Sequence, residues 1–313
     1  MLSYILRRLT MVSVLMLLMS GIIFVATTHL PGDPAVSVLG IESSASERQT
    51  VREQLGLDDP IPVQYVRWLK RAAGGDLGRS IRTKEPVSQM LAARAPITIE
   101  LTAFAMFLAI VVGVPAGIAT AKWRGTAVDS IISGVALMAT AIPFFWLGIL
   151  LIIVFAVQLR WLPPSGYVAI TTDLAQNLRF MILPASAVGL AMAALITRQT
   201  RSAVLQVLHE DYIRTGRAKG LPEYQVMFGH ALPNAMIPVL TVVGLQTGAL
   251  LGGAIVTERV FSISGIGTML IDGIFNRDFP VIQGSMLFII LCVAAVNLLI
   301  DILYTIVDPR IRY

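Results

Sequence analysis

The sequence has few charged residues, one cysteine and three histidines, and these shortages exclude several classes of protein. Charged residues make up 14% of the 313 positions, whereas about 25% is usual in a water-soluble domain. The lone cysteine, Cys292, excludes an intrachain disulfide framework and a cysteine-based metal site. His29, His209 and His230 lack metal-ligand spacing and have no Ser/His/Asp set around them. We therefore expect neither a soluble enzyme nor a metalloprotein.

The apolar residues, which make up 56% of the chain, fall largely into long runs. Each run approaches the ~20 residues with which a helix crosses a bilayer. The pattern predicts an all-α membrane protein with six transmembrane helices, at about Leu9–Thr28, Ile99–Ala121, Ile131–Val157, Met181–Thr197, Ile237–Thr257 and Gln283–Val307. No A-x-A cleavage pattern follows the first run, so we expect an uncleaved helix there rather than a signal peptide.

Prolines and glycines inside the runs predict where the helices bend and where they pack. Prolines interrupt the helical hydrogen-bond ladder, so we expect kinks or breaks at Pro115, Pro143, Pro184 and Pro238. Small residues four positions apart let helix backbones approach closely. This spacing occurs in the pair Gly113 and Gly117 and in the ladder Gly244, Gly248 and Gly252. The ladder predicts a tight helix contact, for which a second subunit is one candidate.

Polar residues are rare inside the runs. Gln246 and Asn297 either line a solute path or bond between helices, and the sequence leaves both readings open. Glu100, Asp129 and Glu258 fall near the ends of runs, where we expect water or headgroups to reach them. Paired acids at mid-membrane would indicate an ion relay. Because Asp301 is the one acid further inside and is better explained by pairing with an arginine or by helix packing, an ion-driven secondary carrier is a remote alternative.

Basic residues in the short connections predict the orientation, because such connections face the cytoplasm. They concentrate on one side of the membrane, at Arg7, Arg8, Lys122, Arg124, Arg198, Arg201, Arg214, Arg217, Lys219, Arg310 and Arg312. Both termini are therefore predicted to be cytoplasmic. This placement also accounts for the net charge of +5 without nucleic-acid binding.

Residues 29–95, which we call the lid segment, are predicted to be external. Two short helices are expected there, at Ala45–Leu55 and Val63–Ala73, followed by a glycine-rich turn at Gly74–Gly78. The second helix has an amphipathic pattern in which Tyr65 and Trp68 contribute to the apolar face. The segment either packs on the outer membrane face or docks an external partner.

The connection between the fourth and fifth runs predicts a helix, a sharp turn and a second short helix on the cytoplasmic side. The first helix follows from the helical spacing of Val204, Leu208 and Tyr212. Gly220 is expected to end it. Pro222 and Glu223 suit the first turn of a new helix, which we expect to stop near Gly229.

This connection resembles the cytoplasmic motif of binding-protein-dependent ABC importer permeases, E-A-A-x-x-x-G followed by nine residues and I-x-L-P. With the motif glycine placed on Gly220, Arg214, Thr215 and Gly216 occupy the E-A-A positions, and Leu232 and Pro233 match the final pair. The acid and the isoleucine are missing. The stretch Glu210–Gly220 instead resembles E-D-Y-I-R-T-x-R-A-K-G, the usual form in dipeptide, oligopeptide and nickel permeases. Further similar stretches are Leu30–Pro34, Gln54–Asp58, Gly75–Gly78, Trp161–Pro163, Val260–Ser262, Arg277–Val281 and Asp308–Tyr313.

The resemblance implies a type I ABC importer transmembrane fold, in which an N-terminal helix (1–28) and the lid segment (29–95) precede a five-helix core (96–307) and a cytoplasmic tail (308–313). A coupling helix at 221–228 would seat in a cytoplasmic ATPase. The residues implied in ATPase coupling are Arg214, Thr215, Gly216, Arg217, Lys219, Gly220, Leu221, Pro222, Glu223, Tyr224 and Met227.

The resemblance also implies partners in a bacterial inner membrane: a second homologous permease, two cytoplasmic ATPases and an external solute-binding protein. The chain contains no G-x-x-x-x-G-K-[ST] loop to hold phosphates. We therefore expect ATP and magnesium to bind the ATPase subunits and no cofactor to bind this chain. The resemblance favours di- or oligopeptides as the solute, with nickel, glutathione or another small solute as alternatives.

Overall fold

The computed structural model describes residues 2–29, 36, 39 and 44–307, and these residues are predominantly helical. The helices are α1 (Leu2–Thr28), α2 (Ala45–Leu55), α3 (Ile61–Ala73), α4 (Val87–Lys122), α5 (Ala127–Ala141), α6 (Phe144–Leu151), α7 (Leu174–Leu208), α8 (Asp211–Ala218), α9 (Glu223–Gln225), α10 (Leu232–Val260), α11 (Ile266–Phe275) and α12 (Phe279–Val307). Two π-helical stretches, Ile152–Gln158 and Val226–Ala231, continue α6 and α9. The motifs at Leu30–Pro34 and Asp308–Tyr313, and the side chain of Asp301, lie outside the described residues.

Five of the described helical stretches are long and apolar enough to cross a membrane: Thr10–Thr28, Val87–Lys122, Leu174–Leu208, Glu223–Val260 and Phe279–Ile300. The sixth candidate is a broken pair, Ala127–Ala141 and Phe144–Gln158, bent by 103°. Its break falls at Pro143, where the backbone is extended (φ −61°, ψ 130°), as the sequence predicts. Pro184 and Pro238, by contrast, lie inside continuous helices.

One compact unit comprises residues 1–98 and 264–294 and contains the lid segment. Its helix α2 has the predicted bounds and begins with a capping box, in which Ser44 Oγ accepts from Glu47 N–H and the Glu47 carboxylate accepts from Ser44 N–H. Helix α3 packs on α1 through aromatic contacts of Phe24 with Tyr65 (5.6 Å between ring centroids) and with Trp68 (5.8 Å). The predicted apolar face of α3 is therefore confirmed.

Asp278 fastens the lid segment to the chain just before α12. Its carboxylate accepts hydrogen bonds from Ser80 Oγ (2.5 Å), Ile81 N–H (3.1 Å) and Arg82 N–H (3.4 Å), and the residue is 4% exposed. Two stretches that resemble the permease motifs, Gly75–Gly78 and Arg277–Val281, thus meet at this point. The three hydrogen bonds hold the end of the lid segment in register.

Replacing Asp278 with alanine is expected to loosen the lid segment. Because the change leaves Ser80 Oγ and two backbone N–H groups without their acceptor, we expect a loss of about 1–3 kcal/mol of local stability. Limited proteolysis and hydrogen exchange of residues 76–86 would measure it. Glu85→Ala, which removes an exposed carboxylate from the same turn, is the matched control; equal protection in both variants would contradict the assignment.

The second compact unit comprises residues 99–263 and 295–313. Here α4 and α7 approach closely through glycines: a Cβ on Gly113 would lie 2.8 Å from Ala193 O, one on Gly117 2.5 Å from Thr200 Cβ, and one on Gly189 2.6 Å from Ala105 O. The close packing expected of Gly113 and Gly117 is confirmed. The close packing holds α7 against α4, and the cytoplasmic connection follows directly after α7.

The expectation that water reaches the acids near the ends of the runs is wrong for Glu258 and Asp129. Glu258 is fully buried and Asp129 is 7% exposed. At Glu258 the chain folds back over the end of α10, with Ile263 N–H donating to the Glu258 carbonyl oxygen at 2.8 Å. Sequence hydropathy indicates depth along a helix, but it carries no information on whether a following turn covers that end.

Candidate coupling site

The cytoplasmic connection after α7 consists of two helices joined by a tight turn. Helix α7 ends at Leu208, and α8 begins at Asp211 after Glu210 adopts an extended conformation (φ −69°, ψ 148°). The interruption shifts the helical phase. Ile213 is therefore buried (1% exposed) and Tyr212 is exposed (45%), so the predicted apolar face through Tyr212 is wrong.

Gly220 makes the turn. It follows α8 in the left-handed region (φ 81°), where residues with a Cβ are strained. Gly220 N–H donates to Arg217 O (3.0 Å) and Leu221 N–H to Gly216 O (3.2 Å), which closes the end of α8. Pro222 is extended, and the next helix starts at Glu223. The predicted turn is confirmed, whereas the helix predicted to start at 221 starts two residues later, with Pro222 before its first turn.

The predicted helix end near Gly229 is wrong. After Glu223–Gln225 the helix widens into the π-helical stretch Val226–Ala231 and continues directly into α10. A helix that ends on glycine usually places it in the left-handed region, and Gly229 is not there. The wider turn precedes Pro233, which has no N–H to donate to the preceding turn. The segment from Glu223 to Ala231 is thus the first part of a candidate membrane-spanning helix.

An ion pair bridges the two arms of the turn. Arg217 Nη2 lies 2.6 Å from Glu223 Oε1, and Arg217 Nε lies 3.2 Å from Glu223 Oε2. These hydrogen bonds raise the pKa of Arg217 above its usual value. Both side chains are partly exposed, at 42% and 56%, so the pair adds little to global stability. Its two hydrogen bonds connect the end of α8 to the start of the following helix.

One side of this segment is buried in the core of its own unit. Ile213, Val226 and Met227 are 0–4% exposed and pack in a cluster with Val204 of α7 and Ala235 of α10. Met227, predicted as a coupling residue, therefore anchors the segment internally and presents no surface to a partner. The cluster therefore joins the turn to two membrane-spanning helices, α7 and α10.

The opposite side exposes large aromatic residues. Tyr224 is 64% exposed and Phe228 is 59% exposed. Phe228 ends the predicted coupling helix 221–228 but is not among the predicted coupling residues, although its spacing of four from Tyr224 on a helix was the available signal. Exposed aromatic side chains close together are typical of protein–protein contacts.

The remaining predicted coupling residues surround these aromatics or support the turn. Arg214, Thr215, Lys219 and Pro222 are exposed, and Gly216 and Leu221 are half-buried against each other. Thr215 Oγ1 donates to Asp211 O at 2.9 Å, which continues the α8 ladder. Apart from Met227, the predicted set therefore forms one continuous stretch around Gly220.

A second cytoplasmic ion pair was not foreseen. Arg201 of α7 binds Asp129 of α5 through two hydrogen bonds, Nη2 to Oδ2 at 2.8 Å and Nε to Oδ1 at 3.1 Å. Asp129 also accepts from Gly125 N–H (3.0 Å) and Ser133 Oγ (3.1 Å). Both residues were placed at the cytoplasmic side by sequence, but pairing them requires knowing that α5 and α7 are neighbours.

The residues predicted to pack between helices or to line a solute path differ in their exposure. Gly244 is buried, and a Cβ there would lie 2.5 Å from Ile300 Cδ1, whereas Gly252 is exposed with nothing within 4 Å of its Cβ position. Gly248 and Gln246 are half-buried, and Asn297 is exposed. Gly244 therefore packs against another helix of this chain, whereas Gly252 leaves free space on the surface of α10.

Comparisons with known proteins agree with this architecture. Residues 113–313 match the family of binding-protein-dependent transport system inner membrane components, and residues 1–102 match its N-terminal region. A dipeptide transport system permease protein, DppB of Alkalihalophilus pseudofirmus, is 41% identical over the full length of both chains. A glutathione transport system permease protein, GsiC of Escherichia coli O6:H1, is 42% identical, also over both full lengths. The MetNI methionine ABC transporter shares the fold (TM-score 0.59, 17% identity, 70% of this chain and 97% of the other).

The apolar helices and the cytoplasmic turn define a membrane-spanning transport subunit. The chain belongs to the family of binding-protein-dependent transport system inner membrane components, and its fold is the type I ABC importer transmembrane fold. It is a multi-pass inner-membrane permease subunit of an ATP-driven solute importer. Membership of this family implies cytoplasmic ATPase partners and an external solute-binding protein.

Proposed function

We propose that this chain is a non-catalytic translocation subunit that couples ATP hydrolysis in its partners to alternating access. The observation that carries the proposal is the arrangement at Gly220. Exposed Tyr224 and Phe228 face outward, while Val226 and Met227 on the same segment are embedded in the core. The exposed surface that would contact an ATPase is therefore joined rigidly, through these buried residues, to α7 and α10. ATP and magnesium are bound by the ATPase chains in this proposal.

The second permease of the complex is proposed to be a homologous chain rather than a copy of this one, as the resemblance implies. Gly252 is open, and Leu245 of the same helix is 70% exposed. A small residue with free space beside an exposed apolar one suits the close approach of another helix. Co-purification of the tagged chain should recover a second permease; recovery of this chain alone with its ATPases would contradict the pairing.

The solute is proposed to be a short peptide. The full-length relatives named above are a dipeptide permease and a glutathione permease, and glutathione, itself a small peptide, is the second candidate. Nickel is a third. Because the external binding protein selects the solute in such a system, the assay must include it.

The complex with its binding protein, reconstituted in vesicles, tests this proposal. We expect di- or tripeptides to stimulate ATP hydrolysis and uptake several-fold, since a loaded binding protein is needed to engage the permease. Nickel serves as the comparison solute. Stimulation by nickel alone would contradict the peptide assignment, and uptake driven by an ion gradient without ATP would contradict the ABC mechanism. The purified chain without its ATPases should hydrolyse no ATP.

A further inference from the structure

The unit that contains the lid segment has a cavity of about 510 Å³ that is open to the surface on one side. Ligand sites commonly measure about 300–1,000 Å³, so the cavity is large enough for a headgroup-sized molecule. Its described walls come from the outer end of α1, from α3, from the turn at 76–84 and from the start of α12. All of these belong to the same compact unit.

The charges on the cavity walls are predominantly positive. Arg67, Arg71, Arg79 and Lys84 line it, and among the described lining residues the one acid is Asp76. Four cations against Asp76, and against Asp59, which pairs with Arg67 at 2.6 Å, leave a local charge of +2. The Asp76 carboxylate accepts from Gly78 N–H at 2.9 Å. The cavity therefore suits an anion.

Two of these arginines are already oriented by other contacts. Arg67 Nη2 donates to Asp59 Oδ2 at 2.6 Å, outside the cavity lining, and Arg79 Nη1 donates to the carbonyl oxygen of Lys84 at 3.2 Å. Each guanidinium retains further N–H donors, and the planar fork matches the oxygens of a phosphate. The ligand class that fits best is a phosphate ester.

The cavity lies at the end of the candidate span formed by α1. Phe24 and Thr28 belong to the last turns of the span Thr10–Thr28, whose Thr28 end is predicted to be external. Helix α3 points Trp68 inward (6% exposed) and leaves Ile61 and Val66 exposed (37% and 48%). An amphipathic helix with basic residues and exposed aliphatic ones is typical of the bilayer interface.

We propose that this cavity binds the phosphate headgroup of an anionic phospholipid from the outer leaflet. The phosphate lies between Arg71, Arg79 and Lys84, and the acyl chains leave past Phe24 along α1. Bound there, the lipid joins α1, α3 and the 76–84 turn. It thereby holds the lid segment at the membrane surface.

The test uses the full-length chain, with whatever subunits co-purify, in phosphatidylcholine nanodiscs to which phosphatidylglycerol is added. Native mass spectrometry counts the phosphatidylglycerol retained. The variant Arg71→Gln/Arg79→Gln should weaken retention by roughly 25-fold, from about fivefold for each cation lost beside an anionic lipid. Lys84→Gln alone should weaken it by about fivefold. The control, Lys70→Gln/Arg82→Gln, removes two charges from the same region outside the cavity lining and should retain lipid as the native chain does.

Several outcomes would overturn the proposal. Equal losses in the cavity and control variants would show only general charge attraction, and unchanged retention in all three variants would show that the cavity holds no lipid. Displacement of phosphatidylglycerol by millimolar inorganic phosphate would assign the site to the free ion. Displacement by a transported peptide would assign it to the solute.

Discussion

Replacing Gly220 with valine is expected to lower solute uptake by about tenfold while the complex still assembles. Gly220 has φ 81°, and a residue with a Cβ pays roughly 1–2 kcal/mol in that region, more when it is β-branched. Nothing lies within 4 Å of the Cβ position, so the effect comes from backbone strain and not from a clash. Because about 1.4 kcal/mol corresponds to a factor of ten, a strain of this size lowers the population of the native turn, relative to other conformations, about tenfold. Initial uptake rates in vesicles measure the effect.

Gly229 provides the matched control for this prediction. It lies in the same segment, is exposed, and also has nothing within 4 Å of its Cβ position, but its φ is not positive. Gly229→Val should therefore transport normally. Gly220→Asn should retain more activity than Gly220→Val, because asparagine tolerates the left-handed region. Similar uptake in the two valine variants would show that the conformation of Gly220 is irrelevant.

Replacing Tyr224 and Phe228 together with alanine is expected to weaken ATPase binding by at least about 30-fold. Aromatic residues at the centre of an interface often cost 2–4 kcal/mol each when truncated, and these two are exposed on a firmly anchored segment. The variant should still fold, because it removes no buried side chain. The affinity of the purified ATPase for the detergent-solubilised permease would measure the loss.

Phe275→Ala is the control for this second prediction. Phe275 is 80% exposed but lies at the end of α11, on the side predicted to be external. Its removal should leave ATPase affinity unchanged. An ATPase that binds the Tyr224/Phe228 variant as tightly as the native chain would place the docking surface elsewhere.

Local sequence chemistry was sufficient to predict the parts of the fold that depend on neighbouring residues. Helix α2 has its predicted bounds because Ser44 and Glu47 cap it within one turn. The helix breaks at Pro143 because the proline ring clashes with the preceding turn and proline has no N–H to donate to it. The chain turns at Gly220 because glycine adopts φ 81° without the steric cost that a Cβ would add. The resemblance to permease motifs added the order of elements and the family, and the comparisons confirm the family.

The features that sequence did not reveal depend on distant contacts. The presence of a glycine does not by itself predict whether a helix ends. Gly220 follows the end of a helix, whereas the helix around Gly229 continues because Val226 and Ala231 are buried in the core. The burial of Glu258 depends on other segments that pack against its helix. The Arg201–Asp129 pair depends on the packing of α5 beside α7. In each case the periodicity of one helix does not show which other segment packs against it.

The most direct test of the coupling mechanism is the ratio of ATP hydrolysed to solute imported in vesicles that contain the Gly220→Val complex. If the turn transmits ATPase motion to α7 and α10, this ratio should rise about tenfold over that of the Gly229→Val complex, by the factor of ten per ~1.4 kcal/mol used above. A ratio equal in the two variants would contradict transmission through this turn.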